Sequence, residues 1–174
     1  LMKKLIFSIL FCLTASGVFS QKKDADIIIK SANIIDVKTG KIISGKAVAI
    51  KDGMIINVFN EKLVGGYNSK QILDAKGKYL MPGLWDMHMH FGGGDSLTNE
   101  NKNLLPLFLA YGITTVRDAA ADISPSVLQW RDEIAARKLL GPSIFTSGPK
   151  LEGYKSVWKG DIEVGNTKEI AQAL

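Results

Sequence analysis

Gly83-Leu84-Trp85-Asp86-Met87-His88-Met89-His90-Phe91, running into Gly92-Gly93-Gly94, is the stretch whose reading decides this fold. Apolar and polar residues alternate along it, which is the period of a strand. Trp85, Met87, Met89 and Phe91 then share one face, and Asp86, His88 and His90 the other. These are the only two histidines in the chain. Residues two apart on a strand have Cα atoms roughly 6.5 Å from one another, at about 3.3 Å per residue. Both imidazoles can therefore reach one ion at about 2.0–2.1 Å. Three polar side chains on one face of a buried strand are costly unless something pairs with them. An isolated His-x-His also suits two polar residues facing solvent, so the pattern alone leaves both readings open.

Downstream the texture is regular. Asn101 to Ala110 has helical spacing, with Leu104, Leu105, Phe108 and Leu109 as its apolar stripe, and Gly112 closes it. Ile113-Thr114-Thr115-Val116-Arg117-Asp118 reads as a second strand. Ser124-Pro125 opens a second helix, predicted to run to about Leu140, where Gly141-Pro142 stops it. Ser143-Ile144-Phe145-Thr146-Ser147 is a third strand. Strand, helix, strand, helix, strand at this spacing predicts a parallel sheet, and in α/β barrels functional groups gather at the C-terminal ends of such strands. His88 and His90 lie at that end of the first strand.

Upstream, residues 24 to 80 are β-rich. Asp26 to Lys30 and Asn33 to Val37 are short branched runs. Lys46 to Ile50 and Met54 to Val58 flank Lys51-Asp52-Gly53, whose Asp-Gly pair predicts a hairpin. A turn at Asp74 to Lys78 leads into Tyr79-Leu80-Met81. Short strands this close together predict a small sandwich, or a sheet packed on something else.

The ends and the composition bound the function. Met2-Lys3-Lys4 followed by apolar Leu5 to Leu13 and Val18-Phe19-Ser20 reads as a signal peptide cleaved before Gln21, too short to span a bilayer. The expectation is export to the periplasm or beyond, with no stable membrane anchor after cleavage. Thr167 to Leu174 reads as the first turns of a helix capped by Thr167, so the chain is expected to be the N-terminal part of a longer protein. The 174 residues carry 22 basic and 17 acidic groups. Without Lys3 and Lys4 the balance is 20 against 17, or +3, with no basic run, which excludes a nucleic-acid partner. One cysteine, Cys12, excludes a disulfide scaffold.

Tyr79 through His90 resembles the start of the catalytic barrel in the amidohydrolase superfamily. Tyr111 to Asp118 is similar to the second strand of that barrel, and Gly141 to Gly148 to its third. The β-rich stretch, with Lys51-Asp52-Gly53 and Leu73-Asp74-Ala75-Lys76-Gly77, is similar to the flanking sandwich domain. The imidazolonepropionase-like branch, which includes metal-dependent dipeptidases, is the nearest within it. The resemblance implies an α/β fold: a β-sandwich portion followed by the first strands and helices of a truncated (β/α)8 barrel. Residues 1–20 are then the signal peptide, 21–81 the sandwich portion and 82–174 the incomplete barrel.

It further implies that His88 and His90 are metal ligands in a site of one or two divalent ions, usually zinc. Hydrolysis of a C–N bond in an amide, cyclic amide or dipeptide by metal-activated water would follow. The partner is a small-molecule amide or peptide, and a homo-oligomer is compatible. The chain departs from the family in holding no third histidine, so no catalytic residue is assigned within it and the stretch alone is expected to be inactive. Two imidazoles fall short of the three protein ligands of a catalytic zinc. Asp86 is a candidate to orient one imidazole from behind, or to bond nearby backbone. Arg117-Asp118 offers either a substrate contact or a local ion pair or helix cap. Gly92-Gly93-Gly94 lacks the phosphate-loop pattern and reads as a loop over the site. The alternative to an enzyme is a secreted, non-catalytic β-rich binding module, or a pseudoenzyme.

Overall fold

A computed structural model describes residues 21–120, 122–158 and 160–173; the predicted leader and Cys12 lie outside these. The chain divides into two compact units, with the boundary between Pro82 and Gly83.

In the first unit, β1 (Lys23–Asp36) is the organising strand. β2 (Lys41–Lys51) pairs antiparallel with it, and β3 (Met54–Asn60) pairs antiparallel with β2. The β2–β3 hairpin turns on Asp52 and Gly53, both at positive φ (52° and 78°). That is the primed turn an Asp-Gly pair favours, because its twist matches the strands it joins. A 3₁₀ turn, Glu61–Gly66, leads to β4 (Tyr67–Asp74), which runs parallel to the first half of β1. β5 (Tyr79–Leu80) continues alongside Asn33 and Ile34. The sheet order is β3-β2-β1-β4, with β5 also on β1.

Two sequence expectations change here. The runs Asp26–Lys30 and Asn33–Val37 are one strand, bent where Ser31 adopts φ 63° and the β1–β2 register shifts. A bulge keeps the ladder going through a point where the sequence reads as a break. β4 was not foreseen, since its residues lack alternation and its partner lies more than 40 positions away. The unit's core is Ala25, Ile28, Ala47, Ala49 and Phe59, joined by Val64 and Tyr67. The small alanines let the 61–66 turn approach the sheet, and the Phe59 and Tyr67 rings stack at 4.6 Å.

The second unit is the predicted α/β alternation. β6 (Leu84–Met89), β7 (Ile113–Asp118) and β8 (Ser143–Thr146) form a parallel sheet in that order. α1 (Thr98–Ala110) and α2 (Ser124–Ala135) connect them. One core serves the unit: Phe91, Leu105, Val116, Ile123, Val127, Trp130 and Ile144. Trp130, at 3% exposure, packs edge-on against Phe91 at 5.7 Å.

α2 ends at Ala135, short of the predicted Leu140. Arg137 takes φ 59°, its N–H donates to the Ile134 carbonyl, and the Lys138 N–H donates to the Glu133 carbonyl. This pair of bonds is the Schellman closure, with arginine where glycine is usual. After β8 the chain forms β9 (Leu151–Glu152) and β10 (Ile162–Glu163), paired parallel, and then α3 (Thr167–Ala173). The cap of α3 is Asn166, not Thr167: the Asn166 Oδ1 accepts the N–H groups of Lys168 and Glu169. Among the described residues no helix is long and apolar enough to cross a membrane.

Candidate metal centre

β6 does not alternate strictly. Asp86 pairs with Val116, and Met89 with Asp118, so three residues of β6 span two of β7. The extra residue flips the parity of the strand. Asp86 and Met89 therefore share the face of Val116 and Asp118, whereas His88 and His90 point to the other. Of the two roles expected of Asp86, the bond observed is the one to nearby backbone. Its Oδ1 accepts the backbone N–H of His88 at 3.1 Å and holds the irregular turn of β6 in place. The strand is also more open than expected. Trp85 and Met87 are more than half exposed, and Trp85 stacks on Phe145 at 5.6 Å.

Beyond the bulge the two imidazoles converge. Their Nε2 atoms lie 3.2 Å apart, with the rings nearly perpendicular. The Nδ1 of His90 is 3.3 Å from the Ala120 carbonyl. A carbonyl only accepts, so Nδ1 carries the proton and the Nε2 of His90 offers a lone pair. Without a metal, the facing Nε2 of His88 donates to it. Two nitrogens bound to one tetrahedral ion at about 2.0–2.1 Å would be about 3.4 Å apart, so the observed separation fits two ligands of one ion. Among the described residues no group of three or more His, Cys, Asp or Glu gathers here. The pair is two ligands of a set and not the whole of one.

Beneath the histidines lies a residue whose part the sequence did not reveal. Asp118 ends β7 fully buried. Its Oδ1 accepts the Phe91 N–H at 3.2 Å, and its Oδ2 accepts the Thr146 hydroxyl at 2.9 Å. One carboxylate thus ties the C-terminal ends of all three parallel strands. The backbone adds to this: Ala119 N–H donates to the Met89 carbonyl and Ser147 N–H to the Asp118 carbonyl. Burial pushes the Asp118 carboxyl above the usual carboxylate range; the bonds from Thr146, Phe91 and Ala120, with the nearby His90, pull it partly back. Asp118 is neither a helix cap nor an ion-pair partner, and the neighbouring Arg117 donates to the Met87 carbonyl at 3.3 Å. An Asp after a β-branched run was the available signal, but its burial follows only from the three-strand register.

A cavity of about 400 Å³ opens beside His90, walled by Asn101, Asp122, Lys150 and Trp158 among others. Gly92 and Gly93 of the glycine loop line it. A side chain on Gly92 would come within 2.8 Å of the Asp122 carboxylate, so glycine keeps that wall in place.

The second unit is thus a parallel βαβαβ sheet with paired imidazoles at the C-terminal end of its first strand, and a strand-rich unit precedes it in the sequence. No protein-family model matches the chain. Curated relatives do: it is 34% identical over 95 residues to an adenine deaminase of Thermosipho africanus, covering 55% of this chain and 15% of that protein. It is 31% identical over 142 residues to an adenine deaminase of Mesorhizobium japonicum, covering 75% of this chain and 23% of that protein. Among solved structures, a protein provisionally assigned as a prolidase from Bifidobacterium longum superposes with a TM-score of 0.73 at 27% identity, over 86% of this chain and 37% of that one. The chain belongs with the amidohydrolase superfamily and matches the N-terminal region of its domain. It spans less than a quarter of the length of these two curated relatives.

Proposed function

We propose that this chain contributes the first two metal ligands, His88 and His90, to a hydrolase that cleaves C–N bonds in small amides, cyclic amides or dipeptides. The relatives' descriptions, adenine deaminase and prolidase, support a hydrolase of C–N bonds. The observation that carries the reading is the 3.2 Å separation of the two Nε2 atoms at the C-terminal ends of parallel strands. A divalent metal, zinc foremost, supplies Lewis acidity and an acidified water when bound there.

The chain's own residues set the stage for that chemistry. The Ala120 carbonyl fixes the proton of His90 on Nδ1 and leaves Nε2 free to ligate. The bulge held by Asp86 turns His88 toward the same point. Asp118 locks the three strand ends so that neither ring has to be reoriented on binding. The cavity beside His90 receives the substrate. Two imidazoles bind a metal more weakly than a full ligand set.

Zinc titration of the chain by calorimetry tests the reading. One ion should bind, and His88→Ala or His90→Ala should each weaken it by at least about tenfold. Equal uptake in the double variant would remove the assignment. The leader read in residues 1–20 supports export, and a mature N-terminus at Gln21 is the result expected of N-terminal sequencing.

A further inference from the structure

The cavity wall facing His90 carries more acceptors than donors. Among the described residues Asp122, only 13% exposed, is paired with the Lys150 ammonium at 3.8 Å, which is outside hydrogen-bond range. Asp161 is almost fully buried behind it; its Oδ2 accepts the Ser156 hydroxyl, while its Oδ1 accepts no hydrogen bond and has only the Lys150 Nζ at 3.4 Å. The same ammonium sits 4.8 Å from the centre of the Trp158 ring. Two carboxylates and an aromatic face thus surround one loosely held lysine, and among the described residues Asp122, Asp161 and Lys150 sum to a net negative charge. Asn101 spends its amide nitrogen on the Gly92 and Leu97 carbonyls, so it offers no free N–H to the cavity.

An aromatic face beside a carboxylate is the recognition chemistry of a planar cation or N–H-rich group: the ring attracts positive charge and the carboxylate accepts its N–H bonds. A carboxylate ligand would instead have to take Lys150 from two acidic partners and lie against Asp122. We propose that Trp158 and Asp122, with Lys150 as the resident cation that the ligand displaces, form a subsite for a planar, positively charged or N–H-donating group of the substrate, held beside the histidine pair. As a part of a substrate pocket it rests on the hydrolase reading; as a binding site it does not.

Benzamidinium and benzoate, equal in ring size and opposite in charge, are the probes. Tryptophan fluorescence of the full chain is titrated with each, with and without zinc. Benzamidinium should quench saturably, and Trp158→Phe should abolish the response. Asp122→Asn should weaken it by about tenfold or more, the loss of a charge-assisted bond. Lys150→Met should leave it equal or tighter, because the resident ammonium no longer competes. Circular dichroism checks that each variant folds. Tighter binding of benzoate that Lys150→Met abolishes would overturn the proposal in favour of a carboxylate subsite. Absence of saturable quenching by either probe would overturn it outright. Zinc uptake measured on the same samples separates the two claims: lost metal binding with intact benzamidinium binding sinks the metal reading and leaves the subsite.

Discussion

The two units treat their charged side chains in opposite ways. In the first, apart from the buried Glu61 Oε2, three surface carboxylates are held by one lysine or another and by nearby turns. Lys70 and the Asp52 N–H hold Asp26, Thr39 and Lys38 hold Asp36, and Lys76 with Lys30 holds Asp74; all three carboxyls sit below the usual carboxylate range. In the second, a carboxylate is buried at the meeting point of three strands and pushed above that range, directly under two converging imidazoles. The difference separates groups that serve local structure from groups gathered at a site.

The largest effect that sharpens this contrast is at Asp118. Asp118→Ala leaves the Phe91 and Ala120 N–H groups and the Thr146 hydroxyl without their acceptor, and should destabilise the second unit by about 3 kcal/mol. Hydrogen exchange resolved by residue should show the loss from Gly83 onward and none in β1–β4. A uniform loss would break the contrast.

Backbone effects come next. Gly53→Ala puts a side chain at φ 78° in the hairpin turn and should cost the first unit about 1 kcal/mol, read from chemical denaturation. In the second unit the reverse change helps. Arg137→Gly, at φ 59°, should stabilise α2 by about 0.5 kcal/mol, visible as slower exchange in its last turn.

The smallest effects are in the response to acid, where the signs differ. The folded pKa of Asp118 is raised, so its contribution favours folding below the ordinary carboxylate range near 4 and is lost as pH rises through the folded value. For Asp26, Asp36 and Asp74 the folded values are lowered, so their contributions are present above that range and lost as pH falls through the folded values. Denaturation followed by nuclear magnetic resonance between pH 3 and about pH 6 should show unit-specific trends. Asp118→Asn should remove the fall of the second unit with rising pH, and Lys70→Ala should lessen the acid sensitivity of the first.

Much of this was legible from local pattern. The helix stripe of Leu104, Leu105 and Phe108, the Asp52-Gly53 turn and the branched run from Ile113 to Asp118 each declare their element within a few residues. The pairing of His88 with His90 needed only the period of a strand. What stayed hidden depends on partners distant in sequence. The bulge that turns Asp86 away from the histidines arises from the register of β6 on β7, and no residue type at 86–88 announces it. Burial of Asp118 requires Thr146 and the Phe91 N–H to meet it. Arg137 ends a helix in the conformation that glycine normally signals, so composition pointed to Gly141 instead.

The claim that the second unit presents a metal centre is tested most directly by nitrogen-15 resonance of the two imidazoles during zinc addition. The account predicts that both Nε2 signals shift together and saturate at one zinc per chain, with the His88 proton moving from Nε2 to Nδ1 as its Nε2 ligates. Loss of the proton from the His90 Nδ1, or saturation at one zinc with only one histidine perturbed, would contradict it.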